Sequence, residues 1–385
     1  MAQEDNNPCW DNLPSVILQE IFSYLPHNSR LRASQVFLNF FFSHSRQGRS
    51  NCDLTQWVIK LPCRSLFSPF ILFILRRLTR SYFLEALSLG CIEHLTDRAG
   101  VILESLRLHH AKHLQTLSLA SVRDDPDDYG CLELEYEINF SSFIRLSILT
   151  IDYDFVSDSL LNALNNGTME RLVIHVHGWK DNYTGTTDRA CKWKIVSLDL
   201  FNFSPKCELR LNLIHSYLGV KVLHSEILHP SMPLTHLKVL FCEDVNIWAL
   251  HDLSSWYSNT LKSLIWIDSI DLIYLLFHRS PDPLVIVAWK CTKLVEIVFI
   301  GHKYYQENLL AIARLRGCSL ESLVFPKRDI ISDNESWHKA ETITHVSFYT
   351  KYQYLYCIKI SLILYDPFGG DSREVIMPLV LRDHK

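Results

Sequence analysis

Glycine is scarce in this sequence of 385 residues. The chain contains 12 glycines, about 3% of its length, where roughly 7% is usual. Gly369 and Gly370 are the only adjacent pair, and no two glycines are separated by a single residue. Dinucleotide-binding and phosphate-binding loops require closely spaced glycines, and the serine elbow of hydrolases requires one on each side of the serine. The sequence therefore argues against a nucleotide-binding enzyme and against that class of hydrolase.

Clustered cysteines, targeting signals and an excess of charge are also missing. The 11 cysteines are spread along the chain and none forms C-x-x-C, so we expect reduced core residues of an intracellular protein. The first seven residues are polar and acidic, and the apolar residues 65–75 are too few to span a bilayer, which takes about 20. The net charge of −4 gives no general reason to bind nucleic acid. We expect a cytoplasmic or nuclear protein without membrane or nucleic-acid partners.

Apolar residues, in contrast, are abundant. They make up 48% of the chain and aromatics 12%, which is enough to exclude a mostly disordered protein. A chain of this length exceeds what one hydrophobic core usually supports. Two or three domains, or one elongated repeat array, are therefore expected.

The first forty residues predict two short helices. Pro14 suits a first helical turn, and apolar residues follow at helical spacing from Ile17 to Leu25, where Pro26 ends the helix. A unit of this size cannot bury all of its large apolar side chains by itself. Its surplus must pack on the next domain, as an ordinary helical cap, or on another protein.

The order of these residues resembles the F-box family, whose short helical module binds a Skp-type adaptor of a cullin–RING ubiquitin ligase. The resemblance covers Trp10 to Phe42 and departs at Phe37 and Phe40, where the family usually has Cys and Trp. It implies residues 1–9 as a disordered N-terminus, 10–55 as the F-box and 56–80 as a connecting helix or linker. The implied adaptor-binding residues are Leu13, Pro14, Ile17, Leu18, Ile21, Phe22, Leu25, Leu31, Val36 and Phe40.

A short pattern, apolar-x-x-apolar-x-apolar, recurs through residues 81–385. Ten copies start 23 to 39 residues apart, at Leu84, Leu114, Leu146, Met169, Ile195, Leu234, Leu261, Leu294, Leu320 and Ile343. Alternation in the last three positions indicates a short strand, and several connecting segments have helical patterns. Chance matches are the alternative in so apolar a chain. The predicted fold is α/β: a short N-terminal helical F-box followed by an irregular leucine-rich-repeat-like solenoid.

Residues 281–325 also resemble the C-terminal part of an animal F-box protein with such repeats. The resemblance implies a non-catalytic subunit of a Skp–cullin–F-box ligase that binds a protein substrate through the repeats. The alternative is a non-catalytic repeat scaffold that binds Skp without cullin-dependent ubiquitination. An enzyme with an unrecognised site is a more distant alternative.

Three clusters could hold a metal ion but are better explained otherwise. The histidine groups His109-His110-x-x-His113 and His175-x-His177 have ligand spacing, yet lack the accompanying acid of known sites. The acidic residues 124–128 lack the glycine and final glutamate of a calcium loop. We expect surface histidines and a solvated loop, hence no catalytic residue, metal or cofactor.

The sheet face between the inward apolar positions is the predicted substrate surface. In the middle of the chain it is polar, with Ser118, Asp152, Arg171, His175, Asp199, His236 and Lys238. Toward the C-terminus it becomes apolar, and the predicted substrate-binding residues are Ile265, Ile267, Glu296, Val298 and Ile300, with Val324 beside them. Strands that are apolar on both faces are covered by something. Either a partner or the chain's own residues 350–385, which include a predicted strand at 356–364, can be that cover.

Overall fold

The structure is a computed structural model that describes a little under half of the chain, chiefly between residues 84 and 326. The described ranges are 51–53, 84–89, 91, 103–104, 106–108, 110–122, 140–156, 160, 168–177, 207–268, 282–326, 330–331, 359–360 and 372–384. No helix among them is long and apolar enough to cross a membrane.

The described residues form short strands that recur along the chain. Their bounds are β1 (Asn51–Asp53), β2 (Ala86–Ser88), β3 (Thr116–Ser118), β4 (Ile148–Asp152), β5 (Arg171–His177), β6 (Glu208–Ile214), β7 (Leu234–Leu240), β8 (Ser263–Ile267), β9 (Glu296–Ile300), β10 (Tyr304–Tyr305), β11 (Ser322–Val324), β12 (Ile330–Ile331) and β13 (Lys359–Ile360).

One sheet contains all of these strands except β10 and β12, which pair with each other. Its order is β1-β2-β3-β4-β5-β6-β7-β8-β9-β11-β13, and every neighbouring pair is parallel. Apart from the two at the edges, each strand of this sheet therefore pairs with the members of the sheet that come before and after it in the chain. This is the arrangement of a repeat array, in which one strand and its return connection form the unit.

Helices pack on one face of this sheet, which we call the back face. They are α1 (Tyr217–Lys221), α2 (Ile247–Trp256), α3 (Pro283–Lys290) and α4 (Gln306–Arg316). Side chains cap two of them: at the start of α2 the Asn246 side chain accepts the Ala249 N–H, and at the start of α3 the Asp282 carboxylate accepts those of Leu284 and Val285. A fifth helix, α5 (Ser372–Leu381), continues into a 3-10 turn at Arg382–His384. It does not pack on the back face and belongs to a second hydrophobic cluster.

The main hydrophobic core lies between the back face and these helices. Register places equivalent side chains of consecutive strands side by side, as with Leu237, Leu264 and Ile297, and all three are fully buried. Trp266 is buried in the same core, where its Nε1 donates to the Asp244 carbonyl at 3.2 Å. Burying one of the leucine or isoleucine side chains contributes about 1.5–3 kcal/mol.

The sequence pattern predicted most strands of the sheet. The copies that begin at Leu84, Leu114, Leu146 and Met169 contain β2 to β5, and those at Leu234, Leu261, Leu294 and Leu320 contain β7, β8, β9 and β11. The copies at Ile195 and Ile343 lie outside the described residues. The strand that pairs with both β5 and β7 is β6, which the pattern missed. β13 lies within the strand predicted for residues 356–364.

Candidate protein-binding surface

The predicted adaptor-binding residues, from Leu13 to Phe40, lie outside the described residues. Their assignment to the adaptor, and the boundaries at residues 10, 55 and 80, therefore stay predictions. The predicted substrate surface, in contrast, falls largely on described strands.

That surface is the face of the sheet opposite the helices, which we call the front face. Register aligns Asp152 of β4 with His175 of β5, His175 with Asn212 of β6, and Asn212 with Lys238 of β7. The same row continues from Lys238 to Ile265 of β8. The change from polar to apolar along the face is thus as the sequence predicts. Asp199 lies outside the described residues, and Asn212 of the unpredicted β6 belongs to the row.

The apolar part of the front face is covered by α5. Ile376, Met377 and Val380 of this helix form a second hydrophobic cluster with strand residues that include Ile265, Ile267, Ile300 and Val324. Ile265 is 1% exposed, and Ile267 and Ile300 are each 4% exposed. Of the two covers that the sequence allows, the chain's own C-terminal residues are therefore the one observed. Binding of a substrate by these isoleucines stays a prediction, because in this conformation the C-terminal residues cover them.

Charged groups hold the end of this helix against the polar row. Asp383 accepts hydrogen bonds from Arg210 at 2.9 Å, Asn212 at 3.0 Å and Lys238 at 2.5 Å. The Lys238 ammonium also donates to the Leu379 carbonyl at 2.7 Å. Lys238 and Asp383 are 0% and 1% exposed, and such a pair is favourable only when further hydrogen bonds satisfy both ions.

The pKa values of this pair reflect burial and mutual charge. Burial raises the pKa of Asp383, but the Lys238 charge and the hydrogen bonds from Lys238, Asn212 and Arg210 outweigh it and hold the pKa at about 2. Burial lowers the pKa of Lys238, and the charge of Asp383 opposes that shift. The Asp383 carboxyl is therefore ionised at neutral pH and compensates the cations beneath it.

The edge of the front face where the strands begin is also charged. Glu208 accepts from Lys262 at 2.5 Å and from Arg210 at 3.0 Å. Glu296 accepts from the Ser263 hydroxyl at 2.5 Å and from Arg382, next to Asp383, at 3.2 Å. Glu296, a predicted substrate residue, thus contacts the C-terminal residues instead. The half-exposed Arg382 pair is expected to add little stability.

A compact polar cluster joins β4, β5 and the residue that follows β3 by three positions. The Ser121 N–H and hydroxyl donate to the Asp152 carboxylate at 2.9 and 2.7 Å. His175 Nδ1 and His177 Nε2 lie 2.8 and 2.9 Å from the Ser121 carbonyl oxygen, and His177 Nε2 lies 3.6 Å from Asp152. Both histidines are buried, so the prediction of surface histidines is wrong for this pair.

The same three side chains are the group among the described residues that could hold a metal ion. One ligand atom from each of Asp152, His175 and His177 lies within 4.8 Å of the other two. However, Ser121 already accounts for their convergence, since it hydrogen-bonds to all three. The arrangement therefore serves to tie three consecutive strands together, and the expectation of no bound metal stays a prediction.

Two front-face histidines make the fold sensitive to mild acid. Burial, with the charge of His177 adding to it and that of Asp152 opposing, lowers the pKa of His175 to about 4. Burial and the charge of Arg210, opposed by Glu208 and Asp383, lower the pKa of His236 to about 4. An unfolded histidine titrates near 6.5. The unfolded chain therefore binds protons that the native chain excludes, and stability falls as the pH drops from about 6.5 toward 4.

We expect the free energy of unfolding to be lower at pH 5 than at pH 7, with His175 contributing up to roughly 3 kcal/mol over its whole titration window. Urea unfolding at the two pH values measures this difference. His175→Asn and His236→Asn should each reduce it, whereas His251→Asn, at an exposed position, should leave it unchanged. A pH dependence that is the same in all four proteins would contradict the assignment.

Comparison with known proteins supports the N-terminal resemblance. Residues 10–40 match the F-box domain family. F-box only protein 33 of Mus musculus is 28% identical over 255 residues, which cover 56% of this chain and 43% of that protein. The Homo sapiens protein of the same name is 29% identical over 210 residues, which cover 51% of this chain and 36% of that protein. The chain thus matches less than half the length of these relatives.

A solved structure, "Crystal structure of TLR13-ssRNA13 complex", aligns with 66% of this chain and 36% of that chain, at 13% identity and a TM-score of 0.28. The strand order described above, and not this alignment, defines the fold. The sequence order of the N-terminal residues and the matches to known proteins agree. The chain therefore carries a match to the F-box domain family at residues 10–40 and is similar to F-box only protein 33 over about half of its length.

Proposed function

We propose that this chain is the substrate-recognition subunit of a Skp–cullin–F-box ubiquitin ligase, acting in the cytoplasm or nucleus. The F-box would bind the Skp-type adaptor, and the repeat array would bind a target protein. The observation that carries the proposal is the F-box match at residues 10–40, ahead of an ordered parallel array. Attack of a target lysine on a thioester depends chiefly on positioning, which a rigid array can supply.

The array itself is proposed to be leucine-rich-repeat-like. Consecutive parallel strands, with helices α1 to α4 on the back face, support this assignment. So does Asn246, whose side-chain amide donates to the carbonyls of Val220 and Lys221 in the preceding repeat, at 2.8 and 2.9 Å. In arrays of this kind the face that carries no helices is the usual binding surface.

A non-catalytic role is part of the proposal. The four described free cysteines, Cys91, Cys207, Cys242 and Cys291, are all buried. Burial raises the pKa of Cys207 and of Cys291 to about 12 and raises that of Cys242 as well. Thiols of this kind are poor nucleophiles because the thiolate is the reactive form. This supports assigning the transfer chemistry to the ubiquitin-conjugating enzyme.

Co-purification with a Skp adaptor tests the function. The unmodified chain should retain the adaptor, and combined Leu13→Ala, Ile17→Ala and Phe22→Ala substitutions should reduce the retained amount at least tenfold, because they remove the apolar stripe of the F-box. Trp248→Ala, at a residue of α2 that is 69% exposed, is the matched control and should change nothing. Failure of the unmodified chain to bind any Skp adaptor would overturn the proposal.

A second candidate is a scaffold that binds Skp without recruiting cullin and so sequesters the adaptor. The covered front face favours it, since α5 occupies the predicted substrate residues. Ubiquitin-remnant profiling of cells with the intact chain and with the triple F-box variant separates the two. Target lysines whose modification depends on the F-box support the ligase, and unchanged profiles support the scaffold.

A further inference from the structure

The last described residues, 372–384, lie on the front face in the way that a bound peptide would. We call them the C-terminal segment. They contribute no strand to the sheet, and they contact it through side chains and through the carbonyls of Leu379 and Asp383. Lys238, on the sheet, bonds to residues 141 and 145 positions further along the chain. The association is thus a docking between distant parts of one chain.

The contacts of the segment form a short, regular pattern. Ile376, Met377 and Val380 enter the apolar cluster, and Asp383 meets the cations. Residues at these spacings lie along one side of a helix. The exposed Pro378 lies outside the pattern. A ligand helix could make the same contacts with three apolar residues and one acidic residue. The apolar residues would stand at positions 1, 2 and 5 of the pattern and the acidic residue at position 8.

The buried cations of the front face favour a ligand that carries a carboxylate at the position of Asp383. Lys238 is fully buried and Arg210 largely so, with 13% of its side chain exposed. A ligand without a carboxylate at this place would leave the ammonium of Lys238 desolvated without its counter-ion, which is strongly unfavourable. The neighbouring Ile265, Ile267 and Ile300 make the adjoining part of the front face unsuited to polar side chains of a ligand. The face therefore discriminates by charge as well as by shape.

The segment is a weak helix by itself. α5 contains ten residues, with Pro378 inside it. Isolated helices of fewer than about 12 residues are marginal in water, and an internal proline removes one hydrogen bond and crowds the preceding turn. Its helical form is thus stabilised by docking. A competing ligand with a similar pattern would therefore displace a segment whose isolated helix has little stability.

We propose that the front face is a peptide-binding groove and that the C-terminal segment is its intramolecular occupant, in the place of an amphipathic helical segment of the target protein. That target segment carries the pattern of Ile376, Met377, Val380 and Asp383. The inference rests on the proposed function for the identity of the ligand as a ligase target. The groove itself, and its occupancy, rest on the contacts given above.

Fluorescence anisotropy with a labelled peptide of residues 372–384 tests the proposal. The receptor is the full chain with Ile376→Asp and Val380→Asp, which prevent its own segment from docking, and the comparison is the unmodified full chain. Circular dichroism and thermal melting first confirm that both are folded. The peptide should bind the substituted chain at least tenfold more tightly, since its groove is vacant. Equal binding to the two folded chains would overturn the proposal.

Two further variants examine the recognition chemistry. A peptide with Asp383→Asn should bind the substituted chain at least tenfold more weakly, whereas one with Pro378→Ala, the matched control, should bind no less tightly. Adding Lys238→Met to the receptor should weaken the preference for the peptide that carries Asp383, with Arg210 and Asn212 as the remaining partners of the carboxylate. A preference that is undiminished by this change would refute recognition of the carboxylate by Lys238.

Skp-adaptor co-purification with the same receptor keeps the two proposals separate. If the adaptor binds but the peptide does not, the groove is disproved and the proposed function stands. If the peptide binds but the adaptor does not, the proposed function fails while the groove stands.

Discussion

Replacing Asp383 by asparagine is expected to release the C-terminal segment from the front face and to reduce the free energy of unfolding by about 3 kcal/mol, since removing one partner of a buried ion pair typically costs 3–5 kcal/mol. The amide keeps the shape of the carboxyl but not its charge, so Lys238 and Arg210 lose their shared counter-ion. Release of the segment limits how far the free energy of unfolding can fall, because the Lys238 ammonium then becomes hydrated and no longer needs a counter-ion. Urea unfolding measures the loss, and hydrogen exchange of residues 375–383 reports the release.

A double-mutant cycle separates the ion pair from general damage. Lys238→Met by itself should cost less, because methionine tolerates burial and Asp383 keeps Arg210 and Asn212 as partners. The combined Asp383→Asn and Lys238→Met protein should be more stable than the sum of the single losses predicts, because no buried ammonium is left without a counter-ion. Strictly additive losses would show that the two groups do not interact.

Replacing Gly301 by alanine is expected to destabilise the array by about 2–4 kcal/mol, from backbone strain together with steric overlap. Gly301 follows β9 and has a φ of +90°, which side-chain-bearing residues rarely adopt. A Cβ atom there would overlap the backbone carbonyl of Asp268, at the end of the neighbouring β8. That backbone cannot shift freely, because the Asp268 N–H donates to Ile300 at 3.0 Å and the side chain accepts from Glu243 at 2.7 Å.

Gly317→Ala is the matched control for this substitution. Gly317 also has a positive φ, of +47°, but an added Cβ would meet nothing within 4 Å. It therefore bears the backbone strain without the overlap, and its expected cost is about 1 kcal/mol. Denaturant midpoints of the two variants give the difference. Equal losses would show that the close approach of Gly301 to Asp268 contributes nothing.

Local pattern predicted the strands where it was regular. Leu261, Leu264 and Trp266 occupy the three apolar positions that a short strand and its approach require, and all three are buried. β6 was missed because Lys206 stands at the position equivalent to Met169, as the pairing of Leu209 with Leu172 shows. Pairing with β5 and β7 on either side, and not the pattern within the segment, defines this element.

The long-range part of the surface could not be predicted in the same way. The partners Lys238 and Asp383 are 145 positions apart, and a short helical pattern interrupted by Pro378 does not indicate where it docks. His175 and His177 likewise hydrogen-bond to Ser121, which lies three residues beyond the end of β3. Contacts of this kind follow from the stacking of the strands, which spacing within one strand does not reveal.

The C-terminal segment contacts strands that are well separated in the array. Its last residues bond to Arg171 of β5, Arg210 and Asn212 of β6, Lys238 of β7 and Glu296 of β9. In a repeat array each unit otherwise touches only its neighbours, so its units can unfold one after another. We expect a segment that bridges β5 to β9 to couple the unfolding of these strands. Displacing it is then expected to broaden the unfolding transition of this part of the chain.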